Sequence, residues 1–169
     1  MKSFKQIRER YQRMSRDTIV QDCKREAALH LELYGDCIEL PPLLFTARGA
    51  IAVPMQHPPG WERNETKDAH SRVLHQVAEE TCPYAFAMVA ESWYIDDFLE
   101  EHEQWLAEHG TISSHPDRKS MVRIYVEHED AAPTTSVALI ENGELGKWQD
   151  CASVATGRYG GFVQQRAVN

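Results

Sequence analysis

The sequence predicts an α+β domain: a largely antiparallel sheet with helices packed on it, preceded by N-terminal helices. Three observations carry this. Apolar residues recur at helical spacing in several stretches. The strand-like segments between them are joined by short turns, and Asn142-Gly143 is the strongest hairpin dipeptide in the chain. No βαβ series and no glycine-rich phosphate loop occur, which argues against doubly wound nucleotide-binding folds and P-loop enzymes.

The elements follow in order. Phe4, Ile7, Tyr11 and Met14 form one stripe at 3-4-3 spacing. Val20, Cys23, Ala27, Leu31 and Tyr34 form a second stripe out of phase with the first. Either two helices, about 3–14 and 17–33, or one helix with a phase break fits this pattern. Ser15 or Asp17 suits the N-cap of the second stripe, and Gly35 its stop. LPPLLFTARGAIAVPM predicts a hairpin with strands 43–47 and 50–54. Pro58, Pro59 and Gly60 break the chain into a loop over 56–65. Ala69, Val73, Val77 and Ala78 mark a helix over 66–81.

YAFAMVAESWYI reads as a central strand covered on both faces, because its first half is nearly all apolar. Asp96 and Asp97 suit the cap of a helix over 97–109, with Phe98, Leu99, Trp105 and Leu106 as its apolar side. After the loop TISSHPDRKS, the strand 121–129 places Val122, Ile124 and Val126 on one face and Arg123, Tyr125 and Glu127 on the other. Thr134–Glu141 is a further strand that returns through Leu145–Trp148. The glycine-rich tail predicts a short edge strand near 161–166. By organisation, 1–34 is a basic helical segment and 35–169 an α+β domain, together one globular unit.

At 169 residues, with 42% apolar and 26% charged side chains and a mean hydropathy of -0.52, the chain buries a core without disulfides or a structural metal. No apolar run is long enough to span a membrane, and the charged N-terminus lacks the apolar stretch of a secretory signal. Cys23, Cys37, Cys82 and Cys151 form no CxxC pair, so reduced and mostly buried thiols in a cytoplasmic protein are expected.

The charge is uneven. The first 25 residues carry eight basic and three acidic side chains, net +5. The remaining chain carries 10 basic and 23 acidic groups, net -13. From 73 to 117 there is no Lys or Arg against ten acids. The stretch DDFLEEHEQWLAE concentrates them as Asp96, Asp97, Glu100, Glu101, Glu103 and Glu108. Like charges four apart on a helix cost a few tenths of a kcal/mol per pair, roughly. Either the basic segment 1–25 neutralises this stretch or a basic partner does.

Catalytic signatures are weak. Among the eight histidines, His102 and His109 share a helix face but lie two turns apart, too far to hold one ion directly. Glu101, Glu108 and His115 add possible ligands, yet the spacing gives no metal site, and no cofactor is expected. Ser113, Ser114, His115 and Asp117 have the residue types of a nucleophilic triad, but no GxSxG occurs. The same loop reads as Ser and Asp side chains capping backbone, with Arg118 pairing to an acid. The crowded carboxylates identify no general acid/base pair.

AESWYI followed by SSHPDRKSMVRIYVEHED resembles a group of uncharacterised bacterial and phage proteins. In that group a strand ends in an EAW-like triplet before an S-x-HPDR-like loop and another strand. The resemblance covers about 66–140, with Ser92 where the triplet has Ala. It implies no activity, but it singles out Glu91, Trp93, His115, Pro116, Asp117 and Arg118.

The leading expectation is therefore a non-enzymatic interaction protein, phage-encoded by the resemblance, whose acidic surface engages a protein with a basic surface. That face binds no nucleic acid and no membrane is involved. One alternative is a small hydrolase or nucleotide-modifying enzyme using His115, Asp117 and Arg118 with Glu91. Another is an assembly subunit, a homodimer or hetero-complex, joined through helices 1–34 and the stripe Phe4, Ile7, Tyr11 and Met14.

Overall fold

The computed structural model describes residues 13–35, 40–54, 64–96, 100–110, 114–152 and 159–163. The elements are α1 (Arg16–Tyr34), β1 (Leu43–Thr46), β2 (Gly49–Ala52), α2 (Asn64–Thr81), β3 (Ala85–Tyr94), α3 (Glu100–His109), β4 (Lys119–His128), β5 (Ala131–Glu141), β6 (Glu144–Leu145) and β7 (Gln149–Ala152). All pairings are antiparallel, in the order β2-β1-β3-β4-β5-β6, with β7 also on β5. This is the α+β fold that the sequence predicts.

α1 begins where Ser15 accepts the Thr18 N–H, at 3.2 Å, and ends where Gly35, at φ 89°, donates its N–H to the Leu31 carbonyl at 2.8 Å. These caps satisfy orphan backbone groups at both ends. The second apolar stripe is its buried face. Ile19, Val20, Cys23, Ala27 and Leu31 pack on Phe45, Ala85, Ala87, Val89, Val122, Ile124 and Val126. Residues 16–34 thus supply the helical side of one core layer, packed on the sheet. Met14 packs at the edge of this layer. Its N–H reaches the Tyr84 hydroxyl at 3.2 Å, and its carbonyl meets His128 Nε2 at 3.0 Å. Met14 is therefore seated in its own domain; Phe4, Ile7 and Tyr11 lie outside the described residues.

The opposite sheet face carries a second core of Leu44, Val53, Leu74, Ala78, Phe86, Phe162 and Val163. β3 is interior and covered on both sides, its alternation sending Ala85, Ala87 and Val89 toward α1 and Phe86 and Met88 away. α2 stops at Thr81 because Cys82 turns left-handed, φ 48°, before Pro83. Asn142 and Gly143, at φ 53° and 79°, build the expected β5–β6 turn.

The described residues depart from the sequence expectations at the tail and on α3. Of the edge strand expected near 161–166, residues 161–163 form no strand and 164–166 lie outside the described residues. Instead, the Gly161 and Val163 N–H groups donate to the Glu127 carboxylate at 2.6 and 2.9 Å, and Tyr125 Oη donates to it at 2.7 Å. Glu127, on the face opposite Val122, Ile124 and Val126 as alternation places it, is consequently only 2% exposed. On α3, Leu106 is exposed, Trp105 is half-buried, and the buried residue is His102; Phe98 and Leu99 lie outside the described residues.

The thiols also differ from expectation. Cys23 is buried, whereas Cys82 and Cys151 are exposed, and all three are free. Burial, reinforced by the Asp22 and Glu26 charges, pushes the Cys23 thiol up to about 12. Because thiolate is the nucleophile, an alkylating reagent at neutral pH modifies Cys82 and Cys151 in the native protein and reaches Cys23 only after unfolding. Peptide mapping by mass spectrometry checks this, and native labelling of Cys23 at the rate of Cys82 would refute it. No helix among the described residues is long and apolar enough to cross a membrane.

Candidate functional site

β3 and β4 pair along their full ten residues, from Ala85↔His128 at one end to Tyr94↔Lys119 at the other. Between β3 and β4 the chain leaves the sheet at the second end, where α3 and the loop 114–118 form a corner. Glu100, Glu101 and Glu103 stand in the first turn of α3, where the helix dipole favours negative charge. Glu108 stands near the opposite terminus, where it does not, and accepts a hydrogen bond from Gln104 at 3.0 Å. All four are exposed. Asp96 pairs with Lys119, a contact that raises the lysine's affinity for its proton. Asp97 lies outside the described residues.

The described cations of the basic segment, Arg13, Arg16, Lys24 and Arg25, engage other groups. Arg13 pairs with Glu129, and Arg16 with Asp17 and the Ala132 carbonyl. Lys24 pairs with Asp150 on β7, and Arg25 with Asp22. The Ser136 hydroxyl, with Lys24, holds the Asp150 carboxyl below its usual range. Among the described residues no Lys or Arg pairs with Glu100, Glu101, Glu103 or Glu108. Ten strand residues at about 3.3 Å each put about 30 Å between the two ends of the β3–β4 ladder. Arg13 and Arg16 bind beyond the Ala85↔His128 end, so their field at α3 is screened over several Debye lengths of roughly 8–10 Å.

The inner side of α3 meets the loop. His102 and His115 are 4% and 9% exposed, with ring centroids 5.0 Å apart at 72°. Trp105 contacts His115 edge-on at 4.7 Å and stacks on His109 at 4.0 Å. Asp117 lies beside them, its Oδ2 3.8 Å from His102 Nε2, and its N–H donates to His115 Nδ1 at 3.1 Å. Glu101 Oε1 is 3.9 Å from His102 Nε2. An open cleft of about 440 Å³ runs past this cluster, lined by Ile95, Asp96, His102, Pro116, Asp117, Arg118 and Lys119.

The structure therefore gathers His115, Asp117 and Arg118, and adds His102, which the sequence reading paired with His109 while naming Glu101, Glu108 and His115 as possible further ligands and finding no metal site. Proximity of helix and loop across 13 residues is what the spacing along one helix does not reveal. Glu91 is not part of the cleft; it stands opposite Val122 in the β3–β4 ladder. Trp93 faces Ser120 across the ladder and carries the Arg118 guanidinium over its ring at 5.9 Å, so Arg118 rests on an aromatic face and pairs with no acid among the described residues. Ser113 lies outside the described residues. No protein-family model, curated protein or solved structure matches this chain.

Proposed function

We propose that this protein is a non-enzymatic interaction protein whose acidic α3 face engages a partner surface lined with Lys and Arg. The supporting observation is the separation of charge along the fold. The described cations of the basic segment are engaged at the far end of the sheet and along β7, while Glu100, Glu101, Glu103 and Glu108 face solvent. Such a ridge accelerates encounter with a basic surface and sets its orientation. It also repels nucleic-acid phosphates, so the partner is a protein. The resemblance of the 66–140 region fits a phage-encoded chain acting on a host complex.

An oligo-arginine peptide serves as a mimic of the basic surface. Its binding is expected to weaken at least fivefold between 50 and 300 mM salt, and to weaken comparably at low salt in Glu100→Gln/Glu103→Gln/Glu108→Gln, with no binding of duplex DNA in either protein. An affinity indifferent to both salt and these substitutions removes the charge basis of the reading, because exposed charges are screened.

A further inference from the structure

We propose that the corner between α3 and the loop 114–118 is a binding site for one divalent transition-metal ion, with His102, His115 and Asp117 as ligands and Glu101 within reach as a fourth. One ligand atom from each of His102, His115 and Asp117 lies within 4.8 Å of the others. Around an ion with bonds of about 2.1 Å, ligand atoms stand about 3.0–3.4 Å apart. The His102–Asp117 pair, at 3.8 Å, is within a few tenths of an ångström of that spacing. The remaining adjustment falls on groups able to move: the Asp117 and Glu101 side chains are 69% and 73% exposed.

The donor set selects the class of ion. Two imidazoles with one or two carboxylates suit Zn²⁺, Fe²⁺, Mn²⁺ or Co²⁺, whereas Ca²⁺ and Mg²⁺ prefer oxygen alone. Buried His102 and exposed Asp117 both line the cleft, with His115 buried beside them, which gives the ion an entry path from the cleft. Lys119, the nearest ammonium in the lining, is already paired with Asp96. His115 enters by releasing the Asp117 amide from Nδ1, either to bind the ion there or to carry the ring proton there while Nε2 binds, so binding breaks a 3.1 Å hydrogen bond. Once bound, the ion ties α3 to the loop. The site does not depend on the acidic-face reading, and it is measured without a partner.

The test uses the full chain with Cys37, Cys82 and Cys151 changed to Ser, since thiols take Zn²⁺ on their own and Cys82 and Cys151 are exposed. Titration calorimetry with Zn²⁺ is expected to give one ion per chain and a higher melting temperature. Co²⁺ is expected to give visible d–d absorption without a thiolate charge-transfer band. Asp117→Asn, an exposed substitution that leaves the fold intact, is expected to raise the Zn²⁺ dissociation constant at least tenfold, and His115→Ala at least as much with an unchanged circular dichroism spectrum. Absence of stoichiometric binding at micromolar Zn²⁺, or binding unaffected by Asp117→Asn and His115→Ala, overturns the proposal.

Discussion

Phe86→Ala is expected to destabilise the protein by about 3–5 kcal/mol, the usual cost of deleting a fully buried aromatic ring. For a chain of this length that lowers the melting temperature by on the order of 10 °C. Phe86 is fully buried at the centre of the second core. Its ring lies 4.3 Å from Phe162 and meets Tyr125 edge-on at 6.4 Å. Its neighbours across the ladder are Leu44 and Glu127. The ring thus fills the space under α2 and under the C-terminal segment together, and its loss leaves a void that neither β1 nor β4 can close without leaving register. Phe86→Leu restores most of the volume and is expected to cost less than half as much. Chemical denaturation of both variants checks the pair; equal losses for Ala and Leu would show that packing volume is not what Phe86 contributes.

The parts of this fold legible in the sequence are those fixed by local chemistry. Ser15 and Gly35 bracket α1 because an N-cap hydroxyl and a left-handed C-cap act within one turn. The β5–β6 turn follows from Asn142-Gly143, and the burial of β3 on both faces from its unbroken apolar run. The illegible parts depend on contacts between distant segments. A glutamate on an alternating strand reads as solvent-facing until a tail arrives to cover it, and 34 residues separate Glu127 from Gly161. His102 reads as a polar helix residue until the loop brings His115 and Asp117 against it. Trp105 and Leu106 read as the core side of α3, yet the helix packs on the loop through His102 and Trp105, and Leu106 is left in solvent. In each case the missing information is which segment closes over which, and hydrophobic period along the chain does not carry it.

Glu127 carries the second large effect. Glu127→Ala is expected to cost about 3 kcal/mol, because it strips three donors, one buried and two partly buried, of their acceptor, and each charge-assisted hydrogen bond contributes roughly 1.5–3 kcal/mol before the carboxylate's own desolvation is returned. Two of those donors are backbone N–H groups, of Gly161 and Val163, which no strand pairing serves. The carboxylate therefore acts as the missing sheet partner of the C-terminal segment, and Phe162 between its two anchors is pressed onto Phe86. Loss of the anchor is expected to free residues 159–163 before the sheet opens, seen as faster hydrogen exchange at Gly161 and Val163 and as cleavage near Tyr159 by dilute protease. Tyr125 supplies an independent readout. Burial first, and then its hydrogen bond to Glu127, push the phenol well above the usual tyrosine range. Removing the carboxylate takes away the second cause and lets water reach the ring. The alkaline absorbance titration of Tyr125 is expected to move to lower pH in Glu127→Ala, whereas Glu127→Gln, which keeps the shape but turns an amide N–H₂ toward one of the donors, is expected to lose stability as well. A Glu127→Gln protein as stable as wild type, with Gly161 and Val163 still protected, would mean that the tail is held by Phe162 and Val163 packing and not by the buried charge.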